Sequence, residues 1–181
     1  MSLFRSTLEN LLLVLLNGPP AAGKTTVAQR WVNERPLALN LDLDDVWLHL
    51  GRWSDDLTAT GLAARQLALA LCQAQLAAHR SVIVPQFLGR PDFIDQLAAV
   101  GGPSFRHLVL LPPLTVVRQR FADRGPHPIA DHPDASTMAG DLDQMYDRLV
   151  ALAQTRPDAE VIELTGHESI DDVLARINRL T

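Results

Sequence analysis

One short segment of the sequence combines residues that together can bind phosphate groups. Gly18-Pro-Pro-Ala-Ala-Gly23-Lys24-Thr25 matches the pattern G-x-x-x-x-G-K-[ST], with an apolar run before it and a helical pattern after it. Glycines let backbone N–H groups turn toward phosphate oxygens, and the following helix adds the positive end of its dipole. The residues expected to surround the phosphates of a nucleotide are Gly18, Pro19, Pro20, Ala21, Ala22, Gly23, Lys24, Thr25 and Thr26.

The chain has 16 Lys and Arg residues, of which Lys24 is the only lysine and the rest are arginines. In a loop of this kind the lysine reaches the β- and γ-phosphates, and the hydroxyl that follows it binds Mg²⁺. We therefore expect Lys24 to take part in catalysis and Thr25 to be a metal ligand. The alternative, an ordinary turn between a strand and a helix, leaves the single retained lysine unexplained.

A second group of candidate residues follows the second strand-like segment, where Asn40-Leu-Asp42-Leu-Asp44-Asp45 carries three carboxylates. Parallel sheets bind ligands beyond the carboxyl ends of their strands, so this segment should lie across from the phosphate loop. Phosphoryl transfer to an alcohol requires an acceptor for the hydroxyl proton, and a carboxylate at this position is suited to that task. In the alternative interpretation, Asp44 only caps the helix that follows.

The remaining sequence alternates between strand-like and helix-like segments. Short apolar runs predict strands at 11–16, 37–43, 81–85, 105–111 and 160–164. Helical patterns, such as the spacing of Leu62, Leu69 and Leu76, predict helices at 25–35, 44–50, 58–79, 91–100, 115–124, 136–156 and 169–180. The alternation indicates an α/β fold with a five-stranded parallel sheet and helices on both faces, as in the three-layer P-loop NTPases.

Composition excludes several classes of protein. With 47% hydrophobic and 20% charged residues in 181, the chain is predicted to form one globular domain spanning residues 1–181. The net charge of −5 argues against nucleic-acid and anionic-membrane partners. The apolar run at 11–16 is too short to span a membrane, and the single Cys72 excludes an intrachain disulfide. We expect a cytoplasmic protein in which Cys72 is buried and inert.

The phosphate loop and the acidic segment together resemble those of the small P-loop kinases. Gly18 to Thr26 followed by Asn40-Leu-Asp-Leu-Asp-Asp45 is similar to the phage polynucleotide kinase and zeta-toxin-like group, and Asp42-x-Asp44 is similar to shikimate kinase. Chloramphenicol phosphotransferase and gluconate kinase share the layout. The resemblance implies an ATP-dependent kinase that transfers the γ-phosphate to a hydroxyl of a small molecule. It also implies that Asp44 accepts the proton and that Asp42 holds Mg²⁺ through water, although the two roles could be exchanged.

The segment Val116-Val-Arg118-Gln-Arg120-Phe-Ala-Asp-Arg124-Gly125 resembles the lid helix of adenylate-kinase-like enzymes. Arg120 and Arg124 are four residues apart, so we expect them on one helix face. The resemblance implies that Arg120 stacks on adenine, that Arg124 neutralises the transferring phosphate, and that the loop after strand five at 165–167 contacts adenine. Residues of about 118–135 would form the lid. Alternatively, the arginines only complement the helix dipole.

Six residues are candidates for contacts to the acceptor, namely Trp47, Arg52, Trp53, Arg65, Gln86 and Arg90. Core packing of the tryptophans and a solvated surface for the polar residues are the alternatives. Trp47 stands where the polynucleotide-kinase pattern D-D-x-R has arginine, which argues against an anionic, nucleotide-like acceptor. The segment 82–87 with Pro91-Asp-Phe93 also resembles tunicamycin-resistance ATP-binding proteins, so a protein that sequesters its ligand and a nucleoside or nucleotide kinase both stay open.

Overall fold

The computed structural model describes residues 11–129, 131–132 and 141–181. Its five strands form a single parallel sheet in the order β2-β3-β1-β4-β5. The strands are β1 (Leu13–Asn17), β2 (Leu39–Asn40), β3 (Val82–Gln86), β4 (Phe105–Leu111) and β5 (Ala159–Glu163). The predicted five-stranded parallel sheet is therefore confirmed, and all of its strands point their carboxyl ends toward the same edge.

Helices cover both faces of the sheet, as predicted. They are α1 (Lys24–Asn33), α2 (Leu43–Leu48), α3 (Leu57–Ala77), α4 (Pro91–Gly101), α5 (Leu114–Ala122), α6 (Leu142–Thr155) and α7 (Ile170–Leu180), with a short 3₁₀ turn at Gly102–Ser104. Helices α1 and α7 pack on one face, and α3, α4 and α6 pack on the other. The start of the predicted helix at 136–156 lies outside the described residues.

β1 is the central strand, and its side chains alternate between the two cores. Val14 and Leu16 pack with Trp31 of α1, whereas Leu13 and Leu15 pack with the helices of the opposite face. All five residues of β1 are buried. A strand covered on both faces must be apolar throughout, which explains the continuous run that identified it in the sequence.

The second strand is much shorter than predicted. Only Leu39–Asn40 pairs with β3, and the chain is already helical at Leu43. The cause is Asp42, whose Oδ1 accepts a hydrogen bond of 3.0 Å from the backbone N–H of Asp44 and so caps α2. This capping ends the strand early and places the acidic segment on the first turn of a helix.

The long helix α3 buries mainly small residues, and Leu69 and Leu76 pack only partly buried against the same core. Gly61, Ala64, Ala68 and Cys72 face the core, whereas Leu62 is 52% exposed. Small side chains let α3 approach α2 and α4 closely. Cys72 is buried as expected, and its burial raises the pKa of the thiol to about 12. Within the described residues, no helix combines the length and the apolar character needed to cross a membrane.

Candidate active site

The phosphate loop is held at its base by a buried side chain, Asn17, at the end of β1. The Asn17 Oδ1 accepts hydrogen bonds from the backbone N–H groups of Gly18 at 2.9 Å and Leu88 at 3.0 Å. Its Nδ2 donates to the Leu88 carbonyl at 3.1 Å and lies 3.4 Å from His107 Nε2. The amide uses its full hydrogen-bonding capacity, so the start of the loop is rigidly tied to the segment after β3.

Two glycines give the phosphate loop its shape. A Cβ on Gly18 would lie 2.9 Å from the backbone oxygen of Leu110, so only glycine fits where the loop leaves the sheet. Gly23 has a φ of +89° and directly precedes α1, a conformation that favours glycine. Ala21 also adopts a left-handed conformation, with φ of 61°. The loop therefore turns its backbone around an open centre, as phosphate binding requires.

Lys24, on the first turn of α1, folds back across this loop. Its Nζ donates hydrogen bonds to the carbonyl oxygens of Gly18 at 3.0 Å and Pro19 at 2.8 Å. Burial lowers the pKa of the ammonium to about 8, although the negative charges of Asp42 and Asp44 act in the opposite direction. A cation held by two neutral carbonyls in a buried position would gain from the approach of negatively charged phosphate oxygens.

Thr25 and Asp42 meet at the edge of the loop. The Thr25 hydroxyl donates to Asp42 Oδ2 at 3.3 Å, which joins α1 to the start of α2. Burial, followed by the neighbouring charge of Asp44, raises the pKa of the Asp42 carboxyl. A hydroxyl and a carboxylate are oxygen donors that Mg²⁺ binds, so this pair fits a metal bound beside phosphates.

Asp44 lies in the first turn of α2, two residues after Asp42. The structure shows that Asp42, not Asp44, is the N-cap of α2, so the alternative interpretation of Asp44 as a cap is wrong. The Asp44 Oδ2 lies 3.6 Å from Nε2 of His127, and both side chains are 36% exposed. Asp44 is thus a carboxylate with access to a ligand, positioned by its neighbour's cap.

The loop after α5 brings its polar residues together around Asp131. Asp131 Oδ1 accepts from Arg124 at 2.6 Å, and Asp131 Oδ2 accepts from the backbone N–H of His127 at 2.6 Å. The Arg124 guanidinium also lies 4.2 Å above the ring centre of Phe121. In this arrangement Arg124 is held by a carboxylate. Residues 130 and 133–135 of the predicted lid lie outside the described residues.

The expectation that Arg120 and Arg124 share a helix face is wrong. Helix α5 ends at Ala122, because Asp123 closes it and Gly125-Pro126 prevents its continuation, so Arg124 lies beyond the helix. Arg120 instead donates from Nη2 to the carbonyl of Gly166 at 2.8 Å, whereas Arg124 donates to Asp131. The two arginines therefore serve different parts of the site.

Arg120 and the loop after β5 line a cavity of about 250 Å³ beside the phosphate loop. Glu168 shapes that loop by accepting from the backbone N–H groups of Thr165 at 2.7 Å and Gly166 at 2.9 Å. These backbone hydrogen bonds, led by that of Thr165, lower the pKa of the Glu168 carboxyl to about 2. The rest of the cavity wall comes from the phosphate loop and α1, through Ala21, Ala22, Gly23, Thr26 and Val27, and from Ile170 and Val173 of α7.

The six acceptor-side candidates do not all lie together. Trp47, on α2, and Arg65, on α3, both approach Gly61, and the ring of Trp53 lies 5.7 Å from that of His132. Gln86 ends β3 half-buried, and Arg90 precedes α4 in an exposed position. Arg52 is not brought to the others, because its side chain is 88% exposed and pairs with Asp55.

Sequence reasoning missed three residues that shape the site, namely Asn17, His127 and Glu168. Asn17 carried a usable signal, since it is a polar residue that ends a buried strand directly before the first glycine. His127 contacts Asp44, which is remote in the sequence, and Glu168 shapes its own loop through hydrogen bonds to Thr165 and Gly166. Nothing in their local sequence distinguishes them from ordinary surface residues.

A family comparison decides the affiliation of the chain. The sequence profile of the AAA domain family matches residues 13–156, which include the phosphate loop, the acidic turn of α2 and helix α5. The chain belongs to the AAA domain family. This AAA domain protein has no match among curated protein sequences.

Solved structures of low sequence identity share the fold of this AAA domain. A sugar kinase from Janibacter sp. HTCC2649 matches with a TM-score of 0.64 and 20% identity, over 94% of each chain. A shikimate kinase from Bacteroides thetaiotaomicron gives 0.60 and 18%, over 93% of this chain and 97% of its own. The tunicamycin resistance protein of Deinococcus radiodurans gives 0.58 and 18%, over 93% and 94%. At these identities the likeness shows a common P-loop kinase-like fold.

Proposed function

We propose that this protein is an ATP-dependent kinase that transfers the γ-phosphate of ATP to a hydroxyl group of a small molecule. The observation that carries this proposal is the junction made by Asp42. One oxygen of Asp42 accepts from Thr25 at the phosphate loop, and the other caps the helix that carries Asp44. A carboxylate able to accept a proton is thereby attached to the edge of a nucleotide site.

The phosphate-binding residues would act on charge and position. The loop Gly18 to Thr26 would surround the phosphates with the backbone N–H groups of its residues other than Pro19 and Pro20, and Lys24 would exchange its two carbonyl partners for phosphate oxygens. Thr25 and Asp42 would hold Mg²⁺, which neutralises charge on the phosphates when bound. Arg120 and the loop at 165–167 are suited to the base of the nucleotide, because they line the adjoining cavity.

Asp44 would take the proton from the acceptor hydroxyl as that oxygen attacks the γ-phosphorus. The bond between the γ-phosphorus and the bridging oxygen of ADP breaks, and the electron pair leaves with ADP. Arg124 would neutralise the transferring group, which requires it to exchange Asp131 for a phosphate oxygen. The products are ADP, a phosphate ester and a proton on Asp44.

The test is an acceptor screen with ATP and Mg²⁺, read by mass spectrometry for ADP and a phosphorylated product. Asp44→Asn should retain ATP binding, because the helix cap belongs to Asp42, while transfer falls by roughly 10²–10⁴. Asp45→Asn is the matched control, since Asp45 is an exposed carboxylate on the same helical turn. Transfer that survives in Asp44→Asn excludes this base.

The same screen separates the kinase from a ligand-sequestering protein of the tunicamycin-resistance type. A sequestering protein would bind ATP and its ligand without forming a phosphorylated product. A nucleoside or nucleotide kinase would transfer phosphate only to nucleosides or their monophosphates in the screen. Either outcome would replace the proposal of a broader small-molecule kinase.

A further inference from the structure

Arg65 differs from the other arginines in what its side chain contacts. Within the described part of the chain, most arginine side chains donate to a carboxylate or carbonyl oxygen, as Arg124 and Arg156 do. The arginine side chains there that make neither a hydrogen bond nor an ion pair are Arg65, Arg80, Arg90 and Arg179. Of these, Arg65 alone is half-buried, and the others are exposed. Partly buried cations normally have an anionic partner, and no carboxylate of the described residues bonds to Arg65, which points to a bound anion.

The Arg65 guanidinium lies next to Trp47, over Gly61 of its own helix. A Cβ on Gly61 would lie 3.2 Å from Arg65 Nη1 and 2.8 Å from Trp47 Cζ2, so the two side chains fill the space that a larger residue would need. Trp47 is three residues after Asp44 on α2, and residues at this spacing are neighbours on a helix surface. Arg65 is therefore next to the side chain of a residue that stands about one helical turn after the proposed base.

A second cation, Arg90, acts on Arg65 from the segment after β3. Burial, and then the positive charge of Arg90, lowers the pKa of Arg65, whereas the charge of Asp92 opposes this change. Asp92 itself is exposed. Because guanidinium groups stay protonated, their mutual repulsion is relieved by negative charge, and Asp92 supplies only part of it. Arg65 and Arg90 are thus two cations that act on each other, and neither bonds to a carboxylate of the described residues.

We propose that Arg65 and Arg90 bind an acidic group of the acceptor, a carboxylate or a phosphate, whose hydroxyl Asp44 activates. This inference rests on the proposed kinase function. Arginine is suited to the role because its planar fork donates two parallel hydrogen bonds to such groups. The replacement of an arginine by Trp47 in the D-D-x-R pattern argued against an anionic acceptor. That inference is reversed here, because α3 supplies a cation at the side of Trp47.

The site is tested by binding of matched compounds that differ in the acidic group, namely glycerate and glycerol, gluconate and glucitol, and ribose 5-phosphate and ribose. A non-hydrolysable ATP analogue with Mg²⁺ fills the phosphate loop first, so that anions cannot bind there. By calorimetry, at least one acid should bind wild type about tenfold or more tightly than its neutral partner. The carboxylate and phosphate members show which acidic group is preferred.

Arg65→Gln should remove that preference by weakening only the acid, and Arg90→Gln should weaken it in the same sense. Arg65→Lys keeps the charge without the fork and should give an intermediate loss. Arg80→Gln is the control, since Arg80 is an exposed arginine without a hydrogen bond or ion pair in the described structure. It should bind like wild type. Thermal unfolding of each variant verifies that it is folded.

Two binding results overturn the proposal: equal binding of acids and neutral partners by wild type, or an acid preference that survives in both Arg65→Gln and Arg90→Gln. Failure of the kinase proposal is recognisable separately. Arg65-dependent binding of an acid with no transfer from ATP to any member of the panel leaves the anion site standing and removes the kinase. Equal phosphorylation of an acid by wild type and Arg65→Gln removes the anion site and leaves the kinase standing.

Discussion

The phosphate end and the acceptor end of the site are built in different ways. The phosphate loop is continuous in sequence and has its internal hydrogen bonds in place, including those of Asn17 and Lys24. The proposed acceptor end comprises Trp47, Arg65 and Arg90 from three separate segments, and its two arginines form no hydrogen bond or ion pair within the described residues. In the proposal, the first end is preorganised for phosphates, whereas the second still has arginines free to bind an acidic group.

The loop between these two ends has an intermediate character. Arg124 and the backbone of His127 are both held by Asp131, and His127 lies beside Asp44. These contacts are satisfied, as at the phosphate end, but they join the loop to itself rather than to the predicted phosphate position. Arg124, the arginine to which the proposal gives a catalytic role, is therefore paired with Asp131, and this ion pair must break before Arg124 can bind a phosphate oxygen.

The largest effect should come from the preorganised end. Lys24→Met removes the cation that the phosphate loop holds and should lower transfer by about a thousandfold. Because Lys24 is the only lysine and its pKa is about 8, an amine-reactive reagent at pH 8 should label it readily. ATP should suppress this labelling, which peptide mass spectrometry can follow. Labelling that is indifferent to ATP would show that Lys24 lies outside the nucleotide site.

The two arginines near the loop should separate into a rate effect and an affinity effect. Arg124→Gln should reduce the rate at saturating ATP by about a hundredfold with little change in ATP affinity, since it acts on the transferring group. Arg120→Gln should mainly weaken ATP binding, because Arg120 lines the cavity beside the phosphate loop. Steady-state kinetics combined with calorimetry distinguish these outcomes. The same change in rate and in ATP affinity in both variants would contradict the different roles proposed for the two arginines.

The smallest effect concerns the support behind the phosphate loop and depends on pH. Burial lowers the pKa of His107 to about 4 from an ordinary value of 6.5, so the folded protein keeps this ring neutral. As pH falls from 6.5 toward 4, the unfolded chain binds a proton that the folded chain does not, and stability is lost. We expect the free energy of unfolding to fall by about 1–3 kcal/mol for this reason.

The measurement is urea unfolding at several pH values for wild type and His107→Gln. The variant should be less stable near pH 7, because a buried neighbour of Asn17 is lost, but it should lack this part of the acid dependence. An identical slope with pH in both proteins would contradict the assignment. Activity at saturating ATP should change less than in the Lys24 and Arg124 variants.

The parts of the molecule that could be predicted are those with local causes. The buried run of β1 and the glycines of the phosphate loop are determined by neighbours in sequence, and both were predicted correctly. The end of β2 was predicted wrongly because Asp42 caps a helix. The spacing of apolar residues does not show whether the backbone at Asp42 continues a strand or begins a helix. Arg65 was predicted as a candidate from its position in the sequence. Whether its side chain forms a hydrogen bond or ion pair depends on tertiary contacts, which only the folded chain shows.

Asn17 gives the two ends of the site a common foundation. Its oxygen accepts from both Gly18 and Leu88, and Leu88 lies two residues before Arg90. A nucleotide bound as proposed would therefore restrain both the phosphate loop and the segment that leads to Arg90. Such shared restraint would make the binding of two ligands cooperative, because the second ligand would encounter a segment whose conformational entropy has already been reduced. By thermodynamic reciprocity, the acceptor would then strengthen ATP binding by the same factor.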